Sequence, residues 1–585
     1  MREYAGTQLN GNTLLSSVKY NYEDKTNRLS AIVRNSLLGT QEISFVYGNL
    51  TAKQNPDAVY TVKHNGTPVL NYNYDPLGRL LTRTIAPINK TQSFTYKQGG
   101  HCANSTSALV ESVTTPDGST EYSYDANGNI TAIYVNGSKV ADYGYDHFNQ
   151  LVEYVDANGQ VYNYIYTNGN IEYIKLNGET IKTFSYTDPN WPDKLTAVNG
   201  NTMVYDAIGN PLTYHDGKVF TWENGRRLAT VTKGANSYSY TYDGNGIRTS
   251  KNVNGTLTEF IYADGVLIGQ TTEDDTLVFL YDESGNKFGF IYNGAYYYYD
   301  INLQGDVVGI YNSNGVKVVT YEYDPWGVIT NITDTSGIDI GTINPIRYRG
   351  YYYDNETGFY LTGTRYYDPE IGRFINADNQ IAGIGSDIRG YNLFAYCFNN
   401  PVNMSDPTGN WPRWITATVT IVAAVVTVVA VATGNIAVAS VAAKITIAAG
   451  ATYIAQSAHY DRRETKNDVA TLPQSPQEAK DSGWRGPDTT PKGPAADCHQ
   501  YTAKDGPNKK YVSPDGHREV IYNSQNKIVL DARDIGTYNF CPSNELWYSN
   551  QSIGHLIHDI IPWVIFGNSD DDPGWVANEI IRLFE

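Results

Sequence analysis

Asn71–Leu80 reads NYNYDPLGRL, and the phrase Tyr-x-Tyr-Asp-x-x-Gly inside it, or a close variant, returns along the first 336 residues. Instances are YSYDANGNI (Tyr124, Asp125, Gly128), YGYDHFNQL (Tyr145, Asp146), MVYDAIGNPL (Tyr205, Asp206, Gly209), YTYDGNGIR (Tyr242, Asp243, Gly246) and YEYDPWGVI (Tyr323, Asp324, Gly327). Tyr-x-Tyr puts two rings on one face of a strand, where they pack against neighbouring strands. The Asp then caps a tight turn through its side-chain oxygen, and the Gly supplies the positive φ that the turn requires. Between these phrases, runs such as QVYNYIYTNG and YIKLNGETIKTFSYTD alternate and are separated by Asn-Gly or Asp-Gly, a strong hairpin signal. A single hairpin is marginal in water, so stability has to come from stacking onto neighbours. The expectation is a mainly β fold, a long sheet of hairpins that curls.

Composition agrees. The chain has 50 Tyr and 53 Gly in 585 residues, 3 Met, and only 18% charged residues, a β-rich signature. Its net charge of −18 argues against coating nucleic acid or an anionic membrane through bulk electrostatics. Four cysteines, Cys102, Cys397, Cys498 and Cys541, are too few and too scattered for a disulfide framework or a zinc ribbon. Cys498 and Cys541 could pair with each other or stay as thiols. The first residues, MREYAGTQLNGNTLLSSVKYNYED, show no basic and apolar secretory signal. The expectation is the C-terminal part of a longer protein, or a chain exported without a cleaved signal.

A second stretch is more specific. Asn344–Gln380 reads NPIRYRGYYYDNETGFYLTGTRYYDPEIGRFINADNQ, and NLFAYCFNNPVNMSDPTG follows at Asn392–Gly409. The order R-Y-Y-D-P-x-x-G-R-F, then N-P, then D-P-x-G resembles the Rhs-repeat-associated core motif of Rhs and other YD-repeat proteins. The resemblance implies a β-shell that winds into a cocoon, closed by this segment, and a variable C-terminal effector. It implies a polymorphic toxin used in interbacterial competition. It also implies an aspartyl self-cleavage just after D-P-x-G-Leu, which carries over onto Asp378 and Asp406 with Arg373 as candidate charge partner. Two carboxylates sharing a proton can act as base and acid in such a cut. This sequence departs from the pattern at DNQIAG (Asp378–Gly383) and at Asn410, where cleaving members carry Leu. Both aspartates also suit turn formation, as Asp-Asn and Asp-Pro commonly do.

The domain organisation that follows is a YD/Rhs repeat shell over 1–336, the closing core motif over 337–410, an apolar segment over 411–460, a linker over 461–496 and a C-terminal toxin domain over 497–585. Trp414–Thr433 carries no charge, and a second weakly polar run reaches Ala458, broken by Lys444. About twenty such residues match a bilayer's thickness, and small residues permit a close helical hairpin. The expected role of 414–458 is insertion into a target-cell membrane, against the alternative of a hairpin buried in the shell. The polar TLPQSPQEAKDSGWRGPDTTPKGPAA has linker composition.

In the last ninety or so residues, His517–Tyr522 alternates as a strand, Asn523–Lys527 turns and Ile528–Asp531 returns, while GHLIHDIIPWVIF suits a helix interrupted at Pro562. A small α+β domain is expected. Five of nine histidines lie after position 458. A metal-independent ribonuclease needs a base, an acid and a cation, and the candidates are His517, Arg518, Glu519, His555, His558 and Asp559. His555 and His558 share a helix face, with Asp559 adjacent to orient one ring. No cofactor is required, although His555 and His558, or Asp570–Asp572, leave a divalent metal open. Any one of these histidines can equally be a surface or structurally hydrogen-bonded ring. Residues 460–585 hold 13 Lys plus Arg against 19 Asp plus Glu, an acidic balance that runs against nucleic-acid binding.

The functional expectation is a secreted or surface-associated toxin whose C-terminal domain, a nuclease acting on RNA, is delivered into a target cell. Expected partners are a cognate immunity protein, an RNA substrate, the target membrane, and export machinery or the N-terminal part of a longer Rhs protein. The alternatives are a membrane-acting toxin working through the apolar segment, and a non-enzymatic YD-repeat surface or carbohydrate-binding protein.

Overall fold

Alternating side chains and short turns drive most of the chain into antiparallel strands. The computed structural model describes residues 4–10, 13–23, 26, 28–49, 54–98, 106–273, 275–378, 391–410, 412–414, 475–481, 485–488, 509–512 and 519–522. Two compact units divide the chain, Met1–Ile421 and Val422–Glu585. Among the described residues of the first, eighteen strands from Tyr4–Asn10 to Asn201–Thr202 form one meander. Fourteen more, from Val204–Tyr205 to Ile329–Asp334, form a second. Each strand pairs antiparallel with its neighbours in sequence.

The Tyr-Asp turns share one hydrogen-bond scheme. Asp75 Oδ1 accepts the N–H groups of Leu77 and Arg79, each at 2.9 Å. The Asp75 carbonyl accepts the N–H of Gly78, also at 2.9 Å, and Gly78 stands at φ 79°. Asp125, Asp206, Asp243 and Asp324 repeat the scheme. At Asp146 the glycine is replaced by Asn149 at φ 60°, an amide residue that tolerates the left-handed region. Just before these turns the ladder slips by one residue, as at Asn73/Tyr74, Ser123/Tyr124, Gly144/Tyr145 and Glu322/Tyr323. Such bulges bend the strand and raise its twist.

The tyrosine at most of these slips, Tyr205 excepted, does more than pack. Its hydroxyl donates to a backbone carbonyl about one hairpin upstream: Tyr74 to Val59 (2.9 Å), Tyr124 to Val110 (2.6 Å), Tyr145 to Ile130 (2.6 Å), Tyr242 to Leu228 (2.9 Å) and Tyr323 to Val307 (2.8 Å). Tyr166 and Tyr186 do the same to Leu151 and Ile171 where no aspartate follows. Each bond is worth roughly 0.5–1.5 kcal/mol net. This explains why the repeat uses Tyr where Phe would fill the same space.

Two cores form, and the segment after Asn344 enters both. One joins Val18, Ile43, Val62 and Leu70 of the first meander to Phe279, Phe290 and Val319 of the second, with Ile346 and Tyr352. The other joins Val110, Leu151 and Tyr164 to Phe220 and Val231, with Tyr348, Tyr360, Tyr367 and Tyr396. The closing segment folds as four short antiparallel strands, Tyr352–Asp354, Phe359–Leu361, Tyr366–Asp368 and Arg373–Phe374. Buried ion pairs fasten it to the second meander. Arg248 Nη1 lies 2.5 Å from Asp354 Oδ2, Lys251 Nζ reaches Asp354 at 3.1 Å and Glu356 at 3.0 Å, and Arg349 Nη1 is 2.8 Å from Asp306.

In the second unit the described elements are a helix over Pro476–Asp481 and a three-stranded antiparallel sheet of Arg485–Asp488, Lys509–Val512 and Glu519–Tyr522. Glu519–Tyr522 pairs with the upstream strand Lys509–Val512, and the expected turn Asn523–Lys527 and return strand Ile528–Asp531 lie outside the described residues. The span read as linker supplies both the helix and an edge strand, Arg485–Asp488. The apolar helical hairpin expected over 411–460 lies outside the described residues apart from 412–414, as does most of the expected α+β domain. No described helix is long and apolar enough to cross a membrane.

Candidate functional site

The end of the closing segment gathers the ionic groups of interest around Arg365. This residue follows the turn between the strands Phe359–Leu361 and Tyr366–Asp368, and it is 6% exposed. Its Nη2 lies 2.8 Å from Asp378 Oδ2 and 3.7 Å from Asp406 Oδ2. Its Nη1 donates to the Leu393 carbonyl at 2.8 Å, its Nε donates to the Gly409 carbonyl, and the guanidinium lies 3.5 Å from the Phe374 ring centroid. Burial pushes the guanidinium down to about 10, opposed by the two carboxylates. It therefore stays charged at neutral pH.

Local turns set the two aspartates. Asp406 opens Asp-Pro-Thr-Gly, and its Oδ1 accepts Gly409 N at 2.9 Å, Asn410 N at 3.1 Å and Thr408 Oγ1 at 3.2 Å. Gly409 stands at φ 74°, and a Cβ there would fall 2.7 Å from Thr362 Oγ1, so only glycine fits. The Asp406 N–H donates to the Tyr351 hydroxyl at 2.6 Å. Asp378 is held from the other side, its N–H on the Leu393 carbonyl at 2.9 Å, next to Ala377, whose N–H donates to Gly209 in the Asp206 turn. Arg226 Nη1 bonds the Ala377 carbonyl at 2.9 Å. With the Asn410 amide turned so that its nitrogen faces the two acceptors around it, that nitrogen is 3.1 Å from Asp378 Oδ1 and 3.1 Å from the Gly409 carbonyl. One cation thus bridges two buried carboxylates beside the Gly409–Asn410 peptide.

Of the three sequence candidates, Asp378 and Asp406 come together here and Arg373 does not. Arg373 Nη1 donates to Asn170 Oδ1 at 2.7 Å and to the Tyr186 hydroxyl at 2.9 Å, and its Nη2 donates to the Asp193 carbonyl at 2.5 Å. It anchors the closing segment to the first meander. Arg365, eight residues earlier in TRYYDPEIGRF, takes the place expected for Arg373. Alternation along the short strands could have raised it, but nothing in the spacing singles it out. Of the C-terminal candidates, Glu519 lies on the strand Glu519–Tyr522 opposite Val512. His517, Arg518, His555, His558 and Asp559 lie outside the described residues. Among the described residues no cluster of three or more His, Cys, Asp or Glu side chains is arranged to hold a metal ion.

Known proteins share this architecture. The teneurin YD-shell family matches residues 118–402. The tRNA3(Ser)-specific nuclease WapA of Bacillus spizizenii is 31% identical over 390 residues, 60% of this chain and 16% of that protein. The tRNA nuclease WapA of Bacillus subtilis strain 168 is 34% identical over a stretch of the same extent. A crystal structure of TcdB2-TccC3-Cdc42 superposes over 68% of this chain and 23% of that one, with a TM-score of 0.53 at 17% identity, a likeness of fold. This chain therefore spans about one sixth of the length of those curated relatives.

Proposed function

Because the chain belongs to the Rhs/YD-repeat proteins, we propose that it is a polymorphic toxin in which the two meanders and their closing segment scaffold a C-terminal effector. The observation that carries this reading is the pairing of a YD shell with relatives named as tRNA nucleases. The effector is assigned to 497–585 and its activity to cleavage of RNA, with His517, Arg518, Glu519, His555, His558 and Asp559 as the residues to test. The shell contributes no chemistry to the substrate. It holds the effector until delivery into a target cell, and a small immunity protein in the producing cell neutralises what is released.

Release is assigned to the Arg365 site. The chain is cut directly after the closing segment, where Asp378, Asp406 and the Gly409 carbonyl meet one guanidinium. The apolar run over 414–458 suits passage of the released segment through a bilayer. Two chains expressed in a sensitive bacterium test the proposal: the full chain, and one stopped after Asn410. Growth arrest with tRNA loss confined to the full chain, and relieved by His517→Ala or His555→Ala, supports a nuclease. Arrest with membrane depolarisation and intact RNA supports the membrane reading instead. Arrest by the shortened chain refutes both.

A further inference from the structure

Both carboxylates at the Arg365 site are engaged by donors. Asp378 Oδ2 is paired with Arg365 at 2.8 Å, and its Oδ1 receives the Asn410 side-chain nitrogen at 3.1 Å. Asp406 Oδ1 accepts three donors, and its Oδ2 faces the same guanidinium at 3.7 Å. The nucleophile that Asp378 holds is the amide nitrogen of Asn410.

We propose that Asn410 cuts the chain at its own carbonyl, through attack of its side-chain nitrogen, and so releases the segment beginning at Trp411. The inference rests on the self-release reading above and replaces water with an internal nucleophile. Asp378 Oδ1 takes a proton from the amide nitrogen as that nitrogen bonds to the Asn410 main-chain carbonyl carbon. A five-membered ring closes, the carbon–nitrogen bond to Trp411 breaks, and the proton passes from Asp378 to the departing amine. Nothing is oxidised or reduced, and no water is consumed. The first product ends in an aminosuccinimide, one water lighter than the acid that hydrolysis would give.

Attacking atom and carbonyl belong to one residue, so proximity is built in and orientation is what the fold supplies. Asp406 Oδ1 holds the Asn410 N–H, Arg365 Nε holds the preceding carbonyl, and Thr364 Oγ1 lies 3.3 Å from the side-chain amide. These contacts keep the amide against its base.

The test uses the purified full chain incubated in heavy-oxygen water, followed by intact-mass spectrometry and N-terminal sequencing. The expected result is a fragment starting at Trp411 and a partner that is first seen one water light and unlabelled. Asn410→Ala loses cleavage with an unchanged melting temperature, and Asp378→Asn slows it by about a hundredfold or more. Asn410→Gln, which keeps an amide but needs a six-membered ring, cuts more slowly and still yields a dehydrated end. A first product that is the labelled acid, or wild-type cleavage rates in Asn410→Ala, overturns the proposal while leaving self-release standing. A wild-type chain that stays intact overturns both.

Discussion

Asp354→Asn tests how firmly the closing segment is bolted to the second meander. Asp354 is fully buried, and its carboxylate lies 2.5 Å and 3.2 Å from the two terminal nitrogens of Arg248 and 3.1 Å from Lys251. Burial opposes its charge, but Arg248 and then Lys251 hold its pKa below the usual carboxylate range. The amide leaves the buried Arg248 without its carboxylate and Lys251 with Glu356 alone, and breaking a buried pair from one side costs about 3–5 kcal/mol. An unfolding entropy of about 2.1 cal/mol/K per residue over roughly 400 residues gives about 0.85 kcal/mol per degree. The midpoint should therefore fall by about 4–6 °C if this unit unfolds as one. Calorimetry of the wild type, Asp354→Asn, Arg248→Met and the double variant measures it. The double variant should cost at least about 1 kcal/mol less than the sum of the singles. Strict additivity, or a midpoint within about 1 °C of wild type, would refute the bolt.

Tyr145→Phe should destabilise by about 1–2 kcal/mol, because it strands the Ile130 carbonyl and also removes the acceptor for Asn403 Nδ2 at 2.9 Å. Denaturant melts compare it with Tyr134→Phe, which lacks such a bond to an upstream carbonyl, and equal costs would sink the stitching role. Asp368 is 3% exposed, and burial raises its carboxyl to about 6, against a Lys218 contribution and the Tyr214 hydroxyl bond that lower it. A raised folded-state pKa means that the native state binds more protons between the two values, so stability from this group falls as pH rises from about 4 to about 6. The full span is about 3 kcal/mol. Asp368→Asn should therefore gain on wild type across that window, and parallel pH curves for the two would count against it.

The strands and turns were legible because the code for them is local. Aspartate, two residues and glycine specify a turn whose donors and acceptors lie within four positions, and even Asn149 fits that scheme. The tyrosine hydroxyl bonds were not legible, since each acceptor carbonyl lies about fifteen residues upstream and depends on the one-residue slip in the ladder. Arg365 was hidden for a related reason. Arg373 is nearer in sequence to Asp378, yet its guanidinium goes to Asn170 and Tyr186 on the first meander. Asp378 and Asp406 were found only through a family motif, because 28 positions separate them and no periodicity joins them.

The central structural claim is that the closing segment is shared core for both meanders, not a strap laid over them. Hydrogen exchange on the intact chain, read by mass spectrometry, tests it most directly. The account predicts that amides such as Ile375, bonded to the Tyr366 carbonyl, and Asn399, bonded to Tyr396, exchange together with the meander strands around Leu151 and Val231. Rapid exchange across Tyr351–Asp406 while those strands stay protected would contradict it.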